Sequence, residues 1–340
     1  MVQPAGDFFA YPPASDLIGL APDEQPRFWV TIDTEEDFDW SAPFAQTGYR
    51  LDSVLALADC QRYFQQTGVT PTYLVDWPVV MDDRATDILG GARSAGRCEV
   101  GAQLHPWVTP PHDEDVNDRN SYTGNLPIDL QRAKMTMLRD AIRDRFGGAP
   151  IVYRAGRYGL GRETGLLLAE LGFRCDTSVR SGFDYRAGHG PDYRAAPLHP
   201  WWVDTRAGSI LEIPVTTVFA GLAGGAGPDL YHRLAGSGAR AVLARLGLVE
   251  RIALTPEGIP AERARTAIDI AIDRRLPVLT FSFHSPSLTP GNTPYVRDDT
   301  DLLEFYRWWD VVLGHLARRG IEPTTAAALL SSASEKRRSA

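Results

Sequence analysis

From Phe28 onward, short apolar runs of β type alternate with amphipathic stretches. The apolar runs predict strands at 29–33, 72–76, 99–103, 151–154, 173–176, 210–215 and 277–283. Helical periods fall at 52–66, 83–95, 128–146, 163–171, 237–246 and 261–274, and a further helix at 299–318 follows the last strand. Within 128–146, Leu130, Ala133, Leu138, Ile142 and Phe146 approximate one stripe, with Arg and Asp opposite. Strand–helix alternation without Asn-Gly hairpins argues for a parallel sheet. Seven strands is one short of the standard eight-fold barrel, so an α/β barrel lacking one strand is expected.

The segments 104–127 and 181–200 and the Gly-rich stretch Gly221–Gly227 read as excursions from this core. Residues 1–27, rich in Pro, Ala and Asp, read as an arm on the body. Residues 28–320 then form one barrel domain, and 321–340 a C-terminal helix and basic tail. There is no internal repeat, and no linker of the kind that separates domains.

Composition narrows the function. Hydrophobic residues make up 44% of the chain, charged residues 23%, and the net charge is −8. The only basic run is Lys336-Arg337-Arg338, so neither duplex nucleic acid nor an anionic membrane is an expected partner. Cys60, Cys98 and Cys175 have no zinc-finger spacing and read as buried free thiols. With no export signal and no apolar stretch of membrane-spanning length, a cytoplasmic protein is expected.

Chemistry gathers where the strands stop. The first strand runs into Asp33, Glu35, Glu36 and Asp37, and the third into Gln103, His105 and His112. Past the fourth come Arg154, Arg157 and Tyr158; past the fifth, Asp176, Thr177 and Ser178; past the seventh, His284. Any one of these alone fits a helix cap or plain packing. Their recurrence at the same end of five strands is where a barrel collects reactive groups. Asp33 and Glu35, two apart, share a face of an extended chain, as do Gln103 and His105. A carboxylate–imidazole cluster suits a divalent metal, zinc first. A second carboxylate can take a proton from water and a separate His can protonate a leaving group, which is the recipe for amide or ester hydrolysis.

The order of these segments, from about Phe28 to Val296, resembles the polysaccharide deacetylases of the NodB-homology class (carbohydrate esterase family 4). Thr31-Ile32-Asp33-Thr34-Glu35-Glu36 looks like that family's first motif. The resemblance implies Asp33 as catalytic base and Glu35 as metal ligand, with Glu36 as its substitute. Glu99-Val100-Gly101-Ala102-Gln103-Leu104-His105-Pro106-Trp107 is similar to the second, histidine-bearing motif. Tyr153-Arg154-Ala155-Gly156-Arg157-Tyr158-Gly159 is similar to the third, implying that Arg154 orients the catalytic acid. Asp176-Thr177-Ser178 is similar to the fourth, a groove wall, and Phe281-Ser282-Phe283-His284 to the fifth, implying His284 as general acid. The family's distorted (β/α)7 barrel agrees with the strand count.

One departure stands out. Gln103 and Trp107 occupy the positions where the family's second motif carries its two histidines, commonly four apart. Three arrangements follow: His105 as ligand with Gln103 as a poor second or a water clamp, His112 swinging in from its Pro-rich loop, or a degraded metal site. Trp107, Tyr158, Trp201 and Trp202 are candidate sugar platforms, with plain packing as the other reading. Arg157 is placed to pair with Asp33 or Glu36 or to contact substrate, and Asn292 and Tyr295 to line the lip. Asp204 and Glu212 read as structural.

The expected activity is metal-dependent removal of an N-acetyl group from an amino sugar or soluble glycoconjugate, with zinc, or cobalt, nickel or manganese, as cofactor. A catalytically silent carbohydrate-binding protein on the same scaffold is the alternative. A phosphotransfer role for Asp33 ranks last, because neither an Asp at the second acidic position nor a downstream Lys near another acidic pair is convincing.

Overall fold

Buried backbone groups need partners, and apolar runs find them in one another. The computed structural model describes residues 7–39, 42–221 and 248–339. Its strands are β1 (Arg27–Thr34), β2 (Thr72–Val75), β3 (Glu99–Leu104), β4 (Val152–Ala155), β5 (Cys175–Asp176), β6 (Trp201–Thr205), β7 (Gly208–Glu212), β8 (Thr217–Ala220), β9 (Glu250–Ala253), β10 (Val278–His284) and β11 (Glu322–Pro323). The sheet order is β10-β1-β2-β3-β4-β5-β7-β6, with β11 against β1, and β8 and β9 pair separately. Every pairing from β10 through β7 is parallel, so the seven expected strands form one curled parallel sheet. Among the described residues no strand pairing closes the sheet between its β6–β7 edge and β10. The gap is crossed by single bonds through Thr216 and Leu254: Thr216 N–H to Thr280 O (3.2 Å), Leu254 N–H to Thr216 O (3.2 Å) and Ser282 N–H to Leu254 O (3.1 Å).

The helices are α1 (Leu57–Gln66), α2 (Trp77–Met81), α3 (Asp83–Ser94), α4 (Ile128–Phe146), α5 (Thr164–Glu170), α6 (Ala261–Asp273), α7 (Asp299–Arg318) and α8 (Ala326–Ser339). The stretch 52–66 is split, its first turn being a 3-10 turn at Asp52–Ala56. The expected helix at 237–246 and most of Gly221–Gly227 lie outside the described residues. Several short elements escaped the pattern. The β6–β7 hairpin turns at Thr205–Gly208, where Gly208 takes a φ of 138° that only glycine adopts readily. The β8–β9 pair and the five-residue α2 are too short to show a period. Trp201 and Trp202, considered as sugar platforms, lie on β6. Trp201 is buried in the core, and Trp202 lies under the Arg337 guanidinium, 5.1 Å away.

Alternation along the strands decides what faces where. In β1, Phe28, Val30 and Ile32 pack outward under the helices, while Trp29 points inward. In β10, Leu279, Phe281 and Phe283 join the outer layer and Val278 the inner one. The inner floor is Trp29, Leu74, Val152, Cys175, Leu211 and Val278, plugged from below by Ala326 and Ala333 of α8. Glu99, at the lower end of β3, accepts from the first amides of that helix, Ala326 N–H (2.8 Å) and Ala327 N–H (3.0 Å). The polar residues at the upper strand ends are thereby left to a mouth on the opposite side. The basic tail is tied down: Lys336 pairs with Glu24 (2.5 Å) and Arg337 with Asp204 (2.8 Å). At the other end of the chain, Phe8 is fully buried and Asp7 pairs with Arg162 (2.9 Å). All three cysteines are free and buried. No described helix is long and apolar enough to cross a membrane.

The buried side of α4 is turned from the expected stripe: Gln131, Lys134, Met135, Leu138, Ile142 and Phe146 face inward, and Leu130 and Ala133 are only half-buried. Lys134 makes this possible. Its ammonium donates to the carbonyls of Pro106 (2.9 Å), Thr109 (2.5 Å) and Pro111 (2.7 Å) and pairs with Glu114 (2.8 Å), so a fully buried cation is satisfied. It pins the excursion that follows β3.

Candidate active site

Register brings the strand ends together. Asp33 lies beside His284 in the β1–β10 pair, and Gln103 beside Arg154 in the β3–β4 pair. Above them opens a cavity of about 370 Å3 lined by Asp33, Glu35, Gln103, His105, Trp107, Arg154, Arg157, Tyr158, Arg180, Glu257 and His284, among others.

Arg154 is buried and spends all five of its N–H groups. Nη1 donates to Asp33 Oδ1 and to Ser282 Oγ (2.8 Å). Nη2 donates to Thr31 Oγ1 (3.0 Å) and Thr177 Oγ1 (3.2 Å), and Nε to the Thr177 carbonyl (3.0 Å). A guanidinium so fixed fixes the carboxylate it holds. The other oxygen of Asp33, Oδ2, is 3.7 Å from His284 Nε2.

Behind His284 stands Glu257, from the loop between β9 and α6. Its Oε2 is 2.7 Å from His284 Nδ1, and its Oε1 accepts from the His284 backbone N–H (3.1 Å) and the Ser287 hydroxyl (2.6 Å). Burial by itself lowers the imidazole pKa. The carboxylates of Glu257, Glu35 and Asp33 outweigh burial and push it up to about 10, so His284 carries its proton at neutral pH.

The β1–β3 corner has a different arrangement. Gln103 Nε2 donates to Glu35 Oε2 (3.0 Å) and meets His105 Nε2 at 3.1 Å. An amide nitrogen can only donate, so His105 accepts at Nε2 and carries its proton on Nδ1, which reaches Glu36 Oε2 at 2.9 Å. Glu36 also accepts from the Trp107 indole (2.8 Å), and its backbone N–H donates to Asp76 Oδ2 (3.0 Å). Burial pushes Glu35 up to about 8, even with His284 and His105 nearby, and burial likewise raises Glu36 and Asp76. Gly156 is required here: a Cβ on it would stand 2.3 Å from His105 Cδ2 and 2.6 Å from the Leu104 carbonyl.

Among the described residues, two places suit a cation. Glu36, Asp76 and His105 bring ligand atoms within 4.8 Å of one another and could hold one, although these atoms already bond one another and so fix the imidazole from behind. The other is the cavity corner, where Glu35 Oε2, His105 Nε2 and the Gln103 amide are separated by 3.0, 3.1 and 3.5 Å. Ligands at the bond lengths of a tetrahedral zinc stand about 3.3–3.4 Å apart. The Gln103 Oε1 is buried with no hydrogen-bond partner among the described residues, and a half-turn of the carboxamide presents it to that corner. The corner fits a divalent cation with one imidazole and two oxygen donors. Without a cation, the amide N–H groups close it.

Not every expected site residue lines the cavity. Asp176 and Ser178, read as groove wall, belong to the frame behind it. The Asp176 carboxylate takes the Ser178 backbone N–H (2.9 Å) and hydroxyl (2.8 Å) and faces Glu212 across β5–β7, and burial raises the pKa of both acids. Ser178 Oγ in turn accepts from the Ala155 N–H (2.8 Å). Asn292 accepts from Arg50 (2.8 Å) in a neighbouring groove, and His112 is exposed on its loop. Trp107 is only 3% exposed, its ring against His105 (4.4 Å) and Phe44 (4.5 Å), so little of it is left to stack on a sugar. Arg157 pairs with neither Asp33 nor Glu36. Its Nη1 donates to Ser121 Oγ and its guanidinium lies over Tyr122 (4.3 Å) and Phe44 (4.9 Å). Glu257, Arg180 and Asp76 went unrecognised in the sequence. Asp76 offered a signal, a carboxylate just past a strand, where it caps α2 through the Val79 N–H (3.0 Å).

No protein-family model and no curated protein matches the chain. Solved structures do. A PuuE allantoinase is 13% identical, with 98% of this chain and 97% of that chain covered at a TM-score of 0.52. A 4-α-glucanotransferase from Thermococcus litoralis is 12% identical over 91% of this chain and 40% of that chain, at a TM-score of 0.54. A family 4 carbohydrate esterase from Streptomyces lividans, in complex with acetate, is 12% identical over 88% and 92% of the two chains, at a TM-score of 0.41. At these identities the likeness concerns the fold alone.

Proposed function

We propose that this chain is a hydrolase that removes an N-acyl group, acetyl first, from an amino sugar or soluble glycoconjugate. The observation that carries the reading is Asp33, held by Arg154 through one oxygen and facing with the other a His284 that Glu257 holds from behind. Asp33 takes a proton from water as the water oxygen bonds to the acyl carbon. His284 gives its proton to the departing nitrogen as the carbon–nitrogen bond breaks, so carboxylate and free amine leave. Glu257 holds the imidazole and compensates its charge, and Arg154 keeps Asp33 in place. When bound, a divalent cation (zinc, cobalt, nickel or manganese) held by Glu35, His105 and Gln103 supplies a Lewis acid for the acyl carbonyl. The cavity, at the small end of ligand-pocket volumes, suits one sugar ring rather than a long polymer segment.

A second reading has one observation in its favour. The Gln103 amide nitrogen donates to Glu35 and meets His105 Nε2, tying together the two groups expected as ligands, as a binding protein on a retired hydrolytic scaffold would. Acetate release from a panel of soluble N-acetyl sugars and chitin oligomers separates the two. Hydrolysis predicts acetate from at least one soluble sugar, a collapse of turnover in His284→Ala and unchanged metal content in that variant. Sugar affinity with no acetate from any member of the panel supports the binding protein.

A further inference from the structure

We propose that the cavity is built for a substrate carrying an anionic group, a carboxylate or a phosphate, which Arg157 and Arg180 hold beside the acyl group. The hydrolysed bond rests on the function proposed above; the anion site rests on its own observations.

The first is a charge imbalance. Asp33 is matched by Arg154, and Glu257 by His284. Arg157 and Arg180 line the same cavity and form no close ion pair with a carboxylate among the described residues, Glu257 acting on Arg180 only at longer range. Apart from the Ser121 hydroxyl, Arg157 has among the described residues the faces of Tyr122 and Phe44. Arg180 has a 3.4 Å contact to the Tyr185 hydroxyl and lies over Phe183 (4.0 Å) and Tyr158 (5.1 Å). Its Nε is buried with no hydrogen-bond partner among the described residues. Guanidinium groups seated on aromatic faces are poorly hydrated, and unspent buried donors are costly. Both costs fall when an acceptor with two in-plane oxygens arrives, which carboxylate and phosphate offer.

The second observation is backbone strain. Arg157 and Tyr158 take φ values of 55° and 59°, the left-handed region that side chains other than glycine seldom enter. They are flanked by Gly156 and Gly159, and both side chains line the cavity. Such strain persists where the surrounding structure has a use for it. Here it puts a guanidinium and a phenol at the cavity wall next to the Arg154 anchor.

Calorimetry on the full-length chain tests this with three probes: N-acetylglucosamine, N-acetylglucosamine 1-phosphate and N-acetylneuraminic acid. At least one anionic probe should bind roughly tenfold or more tightly than the neutral sugar, with the preference shrinking at high salt. Preference for the phosphate or for the carboxylate identifies the source of the anion. Arg157→Gln and Arg180→Gln, each with a wild-type melting temperature, should lose most of the preference. If a variant unfolds, the probe comparison and salt dependence of the wild type decide. No anionic preference, or a preference that survives the double variant, overturns the inference. Anionic preference without acetate release leaves this inference standing and removes the hydrolase. Acetate release with equal affinity for all three probes does the reverse.

Discussion

Glu257 grips His284 at two points, taking the imidazole Nδ1 at 2.7 Å on one oxygen and the backbone N–H at 3.1 Å on the other. The ring therefore cannot turn away from Asp33 without breaking a bond. An imidazole in the unfolded chain titrates near 6.5, while in the fold the surrounding carboxylates outweigh burial and raise it to about 10. The pair's contribution to stability is thus whole below about pH 6.5 and is lost as pH climbs through 10. Glu257→Gln should shift the alkaline limb of the kcat profile toward neutral pH. Its stability deficit relative to wild type should be full at pH 6 and fade toward pH 10. A pH–rate profile and melts across that range check both.

The Gln103 corner makes its own prediction about metal. Glu35, pushed up to about 8 by burial, must give up its proton to become a ligand, so cation affinity should rise as pH climbs through 8. The same raised pKa means stability without metal falls between the ordinary carboxylate range and pH 8, because the unfolded chain loses that proton first. Gln103→His should tighten the corner's hold on zinc at least about tenfold, since even a change to an outer partner of a metal ligand is worth that much. Glu35→Gln should weaken it. Zinc titration followed by elemental analysis measures both.

Gly156 is where the backbone of the third motif passes closest to the imidazole. Gly156→Ala puts a methyl 2.3 Å from His105 Cδ2 and 2.6 Å from the Leu104 carbonyl oxygen, one of them rigid backbone. The expected loss is about 1–3 kcal/mol of stability, as for overpacked cores, together with a displaced His105. Denaturant unfolding measures the first effect, and the imidazole NMR signals of His105 the second.

Lys134 holds the loop that leaves β3. Lys134→Met removes a buried ammonium from three carbonyls and Glu114 and leaves all four acceptors unmatched. A cost of about 3 kcal/mol or more is expected from breaking a buried pair of this kind. Cleavage by protease should concentrate in 106–114, where mass spectrometry would locate it.

The parallel core was legible because burial on both faces writes itself as apolar runs, and the cavity rim because several of these runs stop on ionisable or polar residues. Asp33, Arg154 and His284 were found that way, and strand register joins Asp33 to His284. Asp176 occupies the same sort of position and misled, since its strand is two residues long and its carboxylate faces Glu212 instead of the cavity. Glu257 left no trace: it stands in a loop, and its meaning depends on where β10 delivers His284. Lys134 broke the expected stripe because a lysine in a helix reads as solvent-facing until four acceptors are brought to it. Gln103 was read as a weak ligand, but its bridging of Glu35 and His105 depends on how β3 is placed against β1.

Asp33 as the base of a hydrolytic site is tested most directly by quantitative NMR of acetate. The full-length chain is incubated with N-acetylated sugars, neutral and anionic, beside its Asp33→Asn variant. Wild type should release acetate and free amine in equal amounts. Asp33→Asn should slow release by about 10²–10⁴-fold while still binding the sugar. Acetate at the wild-type rate from Asp33→Asn, or none from wild type with any sugar it binds, would contradict the account.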